Sequence, residues 1–155
     1  MNWGDYFTYD PLSGSLSRIR RASIPTGCVC STSGYMRTRC GGRKHLVHRI
    51  VYEMHFGQIP DGMQIDHIDG DKLNNRIENL RLATHSQNQH NRGAYSSNTS
   101  GMKGVYWHKS HEKWSSAIRI DGALKHLGLF DTKELAHIAY CEAAKRLHGE
   151  FARFK

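Results

Sequence analysis

Between Gln64 and Arg92 the chain reads QIDHIDGDKLNNRIENLRLATHSQNQHNR, with five asparagines, three histidines, three aspartates and few residues able to fill a core. So polar a stretch cannot organise itself around its own apolar contacts, and its neighbours must supply the core that holds it. The chain has 155 residues, enough for one ordinary domain or two small ones, neither with a large interior. Whatever the fold, it has to present this stretch from a modest scaffold.

The flanking sequence offers such a scaffold. From Asp5 to Lys44 short β-like runs alternate with turn residues, as in YDPLSGSL and STSGYMRTRCGG, predicting hairpins. Leu46, Val47, Ile50, Val51 and Met54 then recur at helical spacing in LVHRIVYEMHF, a helix stopped by Gly57 and Pro60, with Arg49 and Glu53 four apart on another face. Met63 to His67 alternates as a strand, and DGDKLNN breaks it into a loop. Asn75 and Glu78 fit a capped start for one turn over Arg76 to Leu80, and Leu80, Leu82 and Ala83 suggest a second strand. Thr84 and Gln87 resemble a capping box opening a helix through about Asn91. The order is strand, loop, strand, helix, which can hold His67 on a strand facing Asn88 on a helix.

Charge narrows the partners. There are 22 Lys and Arg against 14 Asp and Glu, a net charge of +8 and a pI near 9.5, which favours a polyanion. Residues 1–100 carry 12 basic and 8 acidic side chains and residues 101–155 carry 10 and 6, so each part nets +4. The N-terminus shows no apolar signal core, and no stretch approaches the roughly 20 apolar residues of a membrane span. The expectation is a soluble, cytosolic protein with reduced cysteines. Cys28, Cys30 and Cys40 form a C-x-C-x9-C group, with His45 or His48 as a fourth ligand for structural Zn2+. Paired C-x2-4-C spacing is absent, so these cysteines read instead as strand and turn residues.

Cleaving a phosphodiester requires a base to activate water and a hard cation to neutralise the charge that develops on phosphorus and the leaving oxygen. Asp66 and Asn88 offer oxygen ligands suited to Mg2+ or Mn2+ rather than zinc, and His67 offers the base. Neighbours on a strand point to opposite faces, so Asp66 and His67 would converge only across a twist or bulge at Asp66. Asn79 is placed to hydrogen-bond near the histidine and fix its tautomer or its loop. IDHIDGD also resembles the opening of an EF-hand loop, but glycine is not at position six and position twelve is Ile77.

HRIVYEMHFGQIPDGMQIDHIDGDKLNNRIENLRLATHSQNQHNR resembles the HNH (His-Asn-His) endonucleases with a ββα-metal (His-Me finger) motif, particularly bacteriophage homing enzymes. The similarity runs from about Tyr6 to Arg92 and is strongest over Asp66 to Asn88. It implies that Asp66 and Asn88 bind the metal, that His67 is the general base and that Asn79 supports the site. Asparagine at 88 matches the His-Asn-Asn branch, which implies Mg2+ dependence. His85 can share a face with Asn88 and is the alternative ligand, whereas His90 points elsewhere. His45, His48 and His55 read as helix-surface, packing or phosphate-contacting residues. Arg49, Arg76 and Arg81 are candidate phosphate clamps.

AYSSNTSG, Ala94 to Gly101, is small and polar and reads as a flexible linker or an ordered crossing strap. Beyond it, WSSAIRIDGALKHLGLF predicts two strands around Asp121-Gly122, Val105 to His108 a strand before them, and Thr132 a helix start. Leu135, Ala136, Ala139, Ala143 and Leu147 form a stripe on that helix, which ends at Gly149. GVYW, KWSSAIRIDG, HLGLFDT and EAAKRLHG resemble the Apetala-two/ethylene-response-factor type of DNA-binding domain, known in plants and in phage HNH enzymes. The resemblance implies a sheet that enters the major groove. Its open-face positions hold Lys103, Tyr106, His108, Lys113, Ala117, Arg119, Leu124 and His126, with Trp107, Trp114 and Ile118 in the core. Arg119 and Lys113 lead as contacts, since arginine reads guanine bidentately and lysine serves phosphate.

The combined reading is an α+β protein. Residues 1–93 are an HNH domain with N-terminal β-hairpins and a helix, 94–101 a linker, and 102–155 a three-stranded antiparallel sheet packed on one helix. The expected function is metal-dependent hydrolysis of double-stranded DNA, nicking one strand, in the cytoplasm of an infected bacterial host. The alternative is a DNA-binding regulator without cleavage activity. Monomer and homodimer stay equally open.

Overall fold

The computed structural model describes residues 1–94, 97–120 and 122–154, with only the backbone of Arg21, Ala22 and Ser23. The chain is α+β and divides into two compact units, Met1–His85 and Ser86–Lys155.

The first unit opens with two antiparallel three-stranded sheets. One pairs β1 (Phe7–Asp10), β2 (Ser15–Arg18) and β3 (Arg21–Pro25), and the other pairs β4 (Cys28–Val29), β5 (Met36–Cys40) and β6 (Arg43–Leu46). These are the hairpins expected from the alternating runs. Helix α1 (Val47–Phe56) follows β6 directly and stops at Gly57, whose φ of +83° suits glycine and whose N–H returns to Glu53 O at 3.1 Å. Its buried side, Val47, Ile50 and Val51, meets Phe7 and Leu16 from the first sheet and Ile65 and Leu80 from the third. Burying a side chain of that size contributes about 1.5–3 kcal/mol before entropy is charged against it. This core fastens the polar stretch to the scaffold.

That third sheet is a hairpin of β7 (Gln64–His67) and β8 (Leu80–Ala83), in uninterrupted register from Gln64↔Ala83 to His67↔Leu80. Between its strands lies a 3-10 turn, Ile77–Asn79, led by Arg76 with no side-chain cap. The cap expected from Asn75 is not made, because its carboxamide turns inward to His67. Helix α2 covers His85–His90, so the unit boundary falls at its first residue, ahead of the 94–101 segment expected to divide the chain.

In the second unit, β9 (Val105–His108), β10 (Lys113–Ile120) and β11 (Ala123–Phe130) form an antiparallel sheet with β10 in the centre. Ile120 pairs with Ala123 across the expected two-residue turn, of which Asp121 lies outside the described residues. Helix α3 (Lys133–His148) starts where Thr132 Oγ1 accepts a hydrogen bond from Leu135 N and ends at Gly149. Its buried face is Ala136, Tyr140, Ala143 and Ala144, packed on Ile118. Leu135 and Leu147, expected in that stripe, are exposed, because Tyr140 supplies the bulk and the alanines let the helix lie close to the sheet. Gly104 completes the fit: at φ +76°, a Cβ there would lie 2.0 Å from the Tyr140 ring. Within the strap, Tyr95 and Ser96 lie outside the described residues. Asn98 to Gly101 is ordered, with Asn98 Oδ1 accepting from Ser100 N at 2.9 Å and Gly101 N at 3.1 Å.

Candidate active site

His67 closes β7 with 4% of its surface exposed. Ile65, on the same face of the strand, is in the core, and that alternation sends the imidazole toward α1. The His48 ring packs against it edge-on at 5.0 Å, and Tyr35 lies 5.0 Å from His48 and 5.8 Å from His67. Burial drives His48 down to about 3, helped by the charges of His67 and Arg49, so it is neutral at any working pH. Its Nδ1 is buried without a hydrogen-bond partner among the described residues. His67 is lowered too: burial outweighs the opposing pull of its hydrogen bond with Asn75 and of Asp69, Asp66 and Asp71. A ring held below the ordinary histidine range is unprotonated at neutral pH and competent to accept a proton.

Asp66, 5% exposed, pairs across the hairpin with Arg81, whose Nε and one terminal nitrogen both lie 2.9 Å from Oδ2. Two expectations change here. The β7 to β8 register runs without a shift from Gln64 to His67, so the strand contains no bulge at Asp66, and the Asp66 charge acts on His67 from the neighbouring position. Arg81, expected as a phosphate clamp, is committed to the Asp66 carboxylate because the two are direct cross-strand partners.

Asn79 organises the loop rather than the histidine. Its Oδ1 accepts from Asp69 N at 3.0 Å, and its Nδ2 donates to Asp69 Oδ1 at 2.9 Å and Asn74 O at 2.8 Å. Burial alone would raise Asp69, but hydrogen bonds from Asn74 and Asn79 bring it below the ordinary carboxylate value. The partner of His67 is Asn75, 1% exposed, with Oδ1 3.1 Å from Nε2. Sequence reasoning gave Asn75 a capping role. The signal for its place was the pair Asn74-Asn75 at the end of a loop whose apolar residues are Ile68 and Leu73.

The segment from residue 45 to residue 90 matches the family model described as HNH endonuclease. Protein 3.8 of Escherichia phage T7 is 41% identical over 108 residues, which are 70% of this chain and 88% of that protein. The chain belongs to the HNH endonuclease family. An uncharacterized HNH endonuclease of Acanthamoeba polyphaga mimivirus is 36% identical over 121 residues, 77% of this chain and 62% of that protein. A solved structure titled "DNA binding and cleavage by the HNH homing endonuclease I-HmuI" aligns with a TM-score of 0.44 at 24% identity, over 97% of this chain and 92% of that one.

Other expected site residues of this HNH protein fall in several places. Asn88 is half-buried on α2, in the second unit, while His85 is exposed with Nδ1 3.3 Å from Gln64 Nε2. Arg49 is half-buried and Arg76 exposed, neither with a carboxylate at ion-pair distance among the described residues. In the second unit, Tyr106↔Ser115, Lys113↔His108, Ala117↔His126 and Arg119↔Leu124 are cross-strand pairs on the face opposite α3. Tyr106 and Leu124 are exposed there, and Arg119 donates to Gly122 O at 2.7 Å. Lys103, expected on that face, instead lies 5.9 Å from the Tyr140 ring, with Nζ donating to His90 O at 2.7 Å. Burial, then the Arg153 charge, lowers it to about 8. Trp107, expected in the core, is 46% exposed, with its cross-strand neighbour Trp114 packed edge-on against it at 5.2 Å. All four cysteines are free, and no group of three His, Cys, Asp or Glu that could hold a metal ion is found among the described residues. No helix among the described residues is long and apolar enough to cross a membrane.

Proposed function

We propose that this HNH protein hydrolyses phosphodiester bonds of double-stranded DNA with a divalent metal ion, cutting one strand per binding event. The observation that supports it most is His67, buried, unprotonated at neutral pH and held by a hydrogen bond at one ring nitrogen beside a buried carboxylate. A merely structural histidine has no need of the neighbouring Asp66 with its guanidinium counter-charge. In this reading His67 takes the proton of the attacking water, and Asn79 keeps the 69–79 loop in shape.

Asp66 and Asn88 would hold the ion. Their carboxylate and carboxamide oxygens are hard donors, which fit Mg2+ or Mn2+ and not the thiolate or imidazole sets of zinc sites. When bound, such an ion supplies Lewis-acid neutralisation of the charge that builds on the phosphate and the leaving oxygen. Arg81 is the counter-charge that Asp66 meets in its buried position. Arg49 and Arg76 serve as phosphate contacts. The open face of the C-terminal sheet, with Tyr106, His108, Lys113, Arg119 and His126, is the DNA-reading surface, as the Apetala-two/ethylene-response-factor resemblance implies. In the same reading residues 1–93 cut, 102–155 read, and the biological setting is the cytoplasm of a phage-infected bacterium, where homing is one role such an enzyme fills.

Incubating supercoiled plasmid with the full chain and Mg2+ tests this directly. Nicked circles should accumulate before linear product, and both should vanish with EDTA and fall about 100-fold or more in His67→Ala. A protein that retards DNA on a gel yet cuts none under Mg2+ or Mn2+ would be the non-cleaving regulator instead.

A further inference from the structure

We propose that Asn75 is the positioning residue for His67, fixing its tautomer so that Nδ1 is the nitrogen that accepts the proton. The inference rests on the reading of His67 as the base, and it begins from the orientation of one amide. Asn75 Oδ1 lies 3.1 Å from His67 Nε2, while its Nδ2 lies 3.2 Å from Leu73 O. Turning the amide over would set Oδ1 against the Leu73 carbonyl oxygen, two acceptors facing each other. The orientation is therefore decided by Leu73 and not by the histidine. A carboxamide oxygen only accepts, so Nε2 carries the hydrogen, and in a neutral ring the lone pair is then on Nδ1.

The amide is held as firmly as the role demands. Asn75 is buried, and the chain on either side of it is braced by the first sheet. Tyr9 OH accepts from Ile77 N at 2.8 Å and lies 3.5 Å from Asn75 O. Gly14, at φ +71°, lets the β1 to β2 turn press against the same backbone: a Cβ there would lie 2.7 Å from Arg76 N and 2.9 Å from Asn75 C. Tyr35 and His48 also pack against the ring, and neutral His48 offers no charge to divert the proton. Asn79 cannot share the task, since its amide is spent on Asp69 and Asn74. On reaction, the proton leaving water binds Nδ1 and the ring becomes imidazolium, with Nε2–H still donated to Asn75. Charge is conserved and the hydrogen bond strengthens as it forms.

The tautomer can be read without any reaction. In the 15N-labelled full chain at pH 8, long-range proton–nitrogen correlations of His67, assigned by loss in His67→Ala, should show Nε2 protonated and Nδ1 pyridine-like. The opposite pattern overturns the proposal, whether or not the protein cuts DNA. Asn75→Leu, near in size and without an acceptor, should give mixed tautomers and a single-turnover cleavage rate lowered about 100-fold, with DNA affinity within about 2-fold. Asn75→Asp keeps an acceptor toward Nε2 but sets its second oxygen against Leu73 O, so it should restore the single tautomer and recover part of that rate. Equal losses in Leu and Asp variants, or a loss that tracks DNA affinity, would reduce Asn75 to a packing residue. If Asn75→Leu does not fold by circular dichroism, the wild-type spectrum and the Asp variant decide. Undiminished cleavage by His67→Ala would instead overturn the base reading and leave the tautomer to be judged by the spectrum.

Discussion

In the first unit the buried polar groups include Asp66, His67, His48, Asn75 and Asn79, whereas among the described residues of the second they are Ser100, Ser115, Ser116 and Asn91. The first unit thus takes an ion pair and two imidazoles out of water, at a desolvation cost that only specific partners offset. The second buries hydroxyls and a carboxamide, half-buries Lys103, and keeps charge at the surface in the Lys113 to Asp131 pair, with 46% and 79% of the side chains exposed. Buried titratable groups are where proton transfer can be tuned, and exposed charges are where a polyanion can be met. The proposed division of labour between cutting and reading matches which groups each unit hides.

The largest test of that contrast is Arg81→Ala. It strips the guanidinium from a carboxylate that is 5% exposed, and should cost about 3–5 kcal/mol, read as an earlier urea midpoint for amides of β7 and β8. A change below about 1 kcal/mol would mean that Asp66 is less desolvated than its burial implies. Acid gives the next effect. The unfolded chain protonates His48 near its ordinary value of 6.5, the folded chain only near 3. Between those values the unfolded state binds more protons, so stability falls as pH drops through the window, by up to about 1.4 kcal/mol per pH unit. Urea midpoints of α1 amides at pH 7 and pH 5 should differ accordingly, and His48→Phe should flatten that slope.

Periodicity made the scaffold legible. The α1 stripe, the β7 and β8 strands, the pairing of the strands on either side of residues 121–122 and the Thr132 start of α3 all stand where residue spacing placed them. Spacing says nothing about which of several amides in a loop faces inward. Asn74, Asn75 and Asn79 are alike in sequence, and only three-dimensional closure of the loop assigns Asn79 to Asp69 and Asn75 to His67. Arg81 shows a related limit: its positive charge reads as a DNA contact, and only strand register reveals that it stands opposite Asp66. Likewise Leu135 and Leu147 seemed to belong inside α3 because hydropathy ranks them above alanine, but the close approach of helix to sheet favours the small residues.

Within the second unit, Thr132→Ala removes the hydroxyl that accepts from Leu135 N at 3.3 Å, and should cost about 1 kcal/mol. Thermal unfolding followed on α3 amides checks it, with the first unit unaffected. A drop felt equally in β7 and β8 would show that the two units unfold together, and the contrast between them would then describe one cooperative structure.

The smallest change in stability should carry the clearest functional message. Lys113→Ala breaks an exposed pair, 3.0 Å from Asp131, whose worth in water is about 0–1 kcal/mol because solvent screens both charges. The urea midpoint should hardly move. If Lys113 meets a phosphate, however, its removal releases about one counterion fewer on binding, and the slope of log affinity against log salt should shallow by about 1, with little change in sequence preference. Arg119→Ala should weaken binding selectively at certain base pairs, since a guanidinium freed from Gly122 O can address a guanine edge. Identical salt slopes for wild type and Lys113→Ala would place the DNA on some other surface and leave Asp131 as the lysine's whole purpose. A shallower slope without loss of stability would tie this surface charge to DNA binding, as the buried pair at Asp66 is tied to stability.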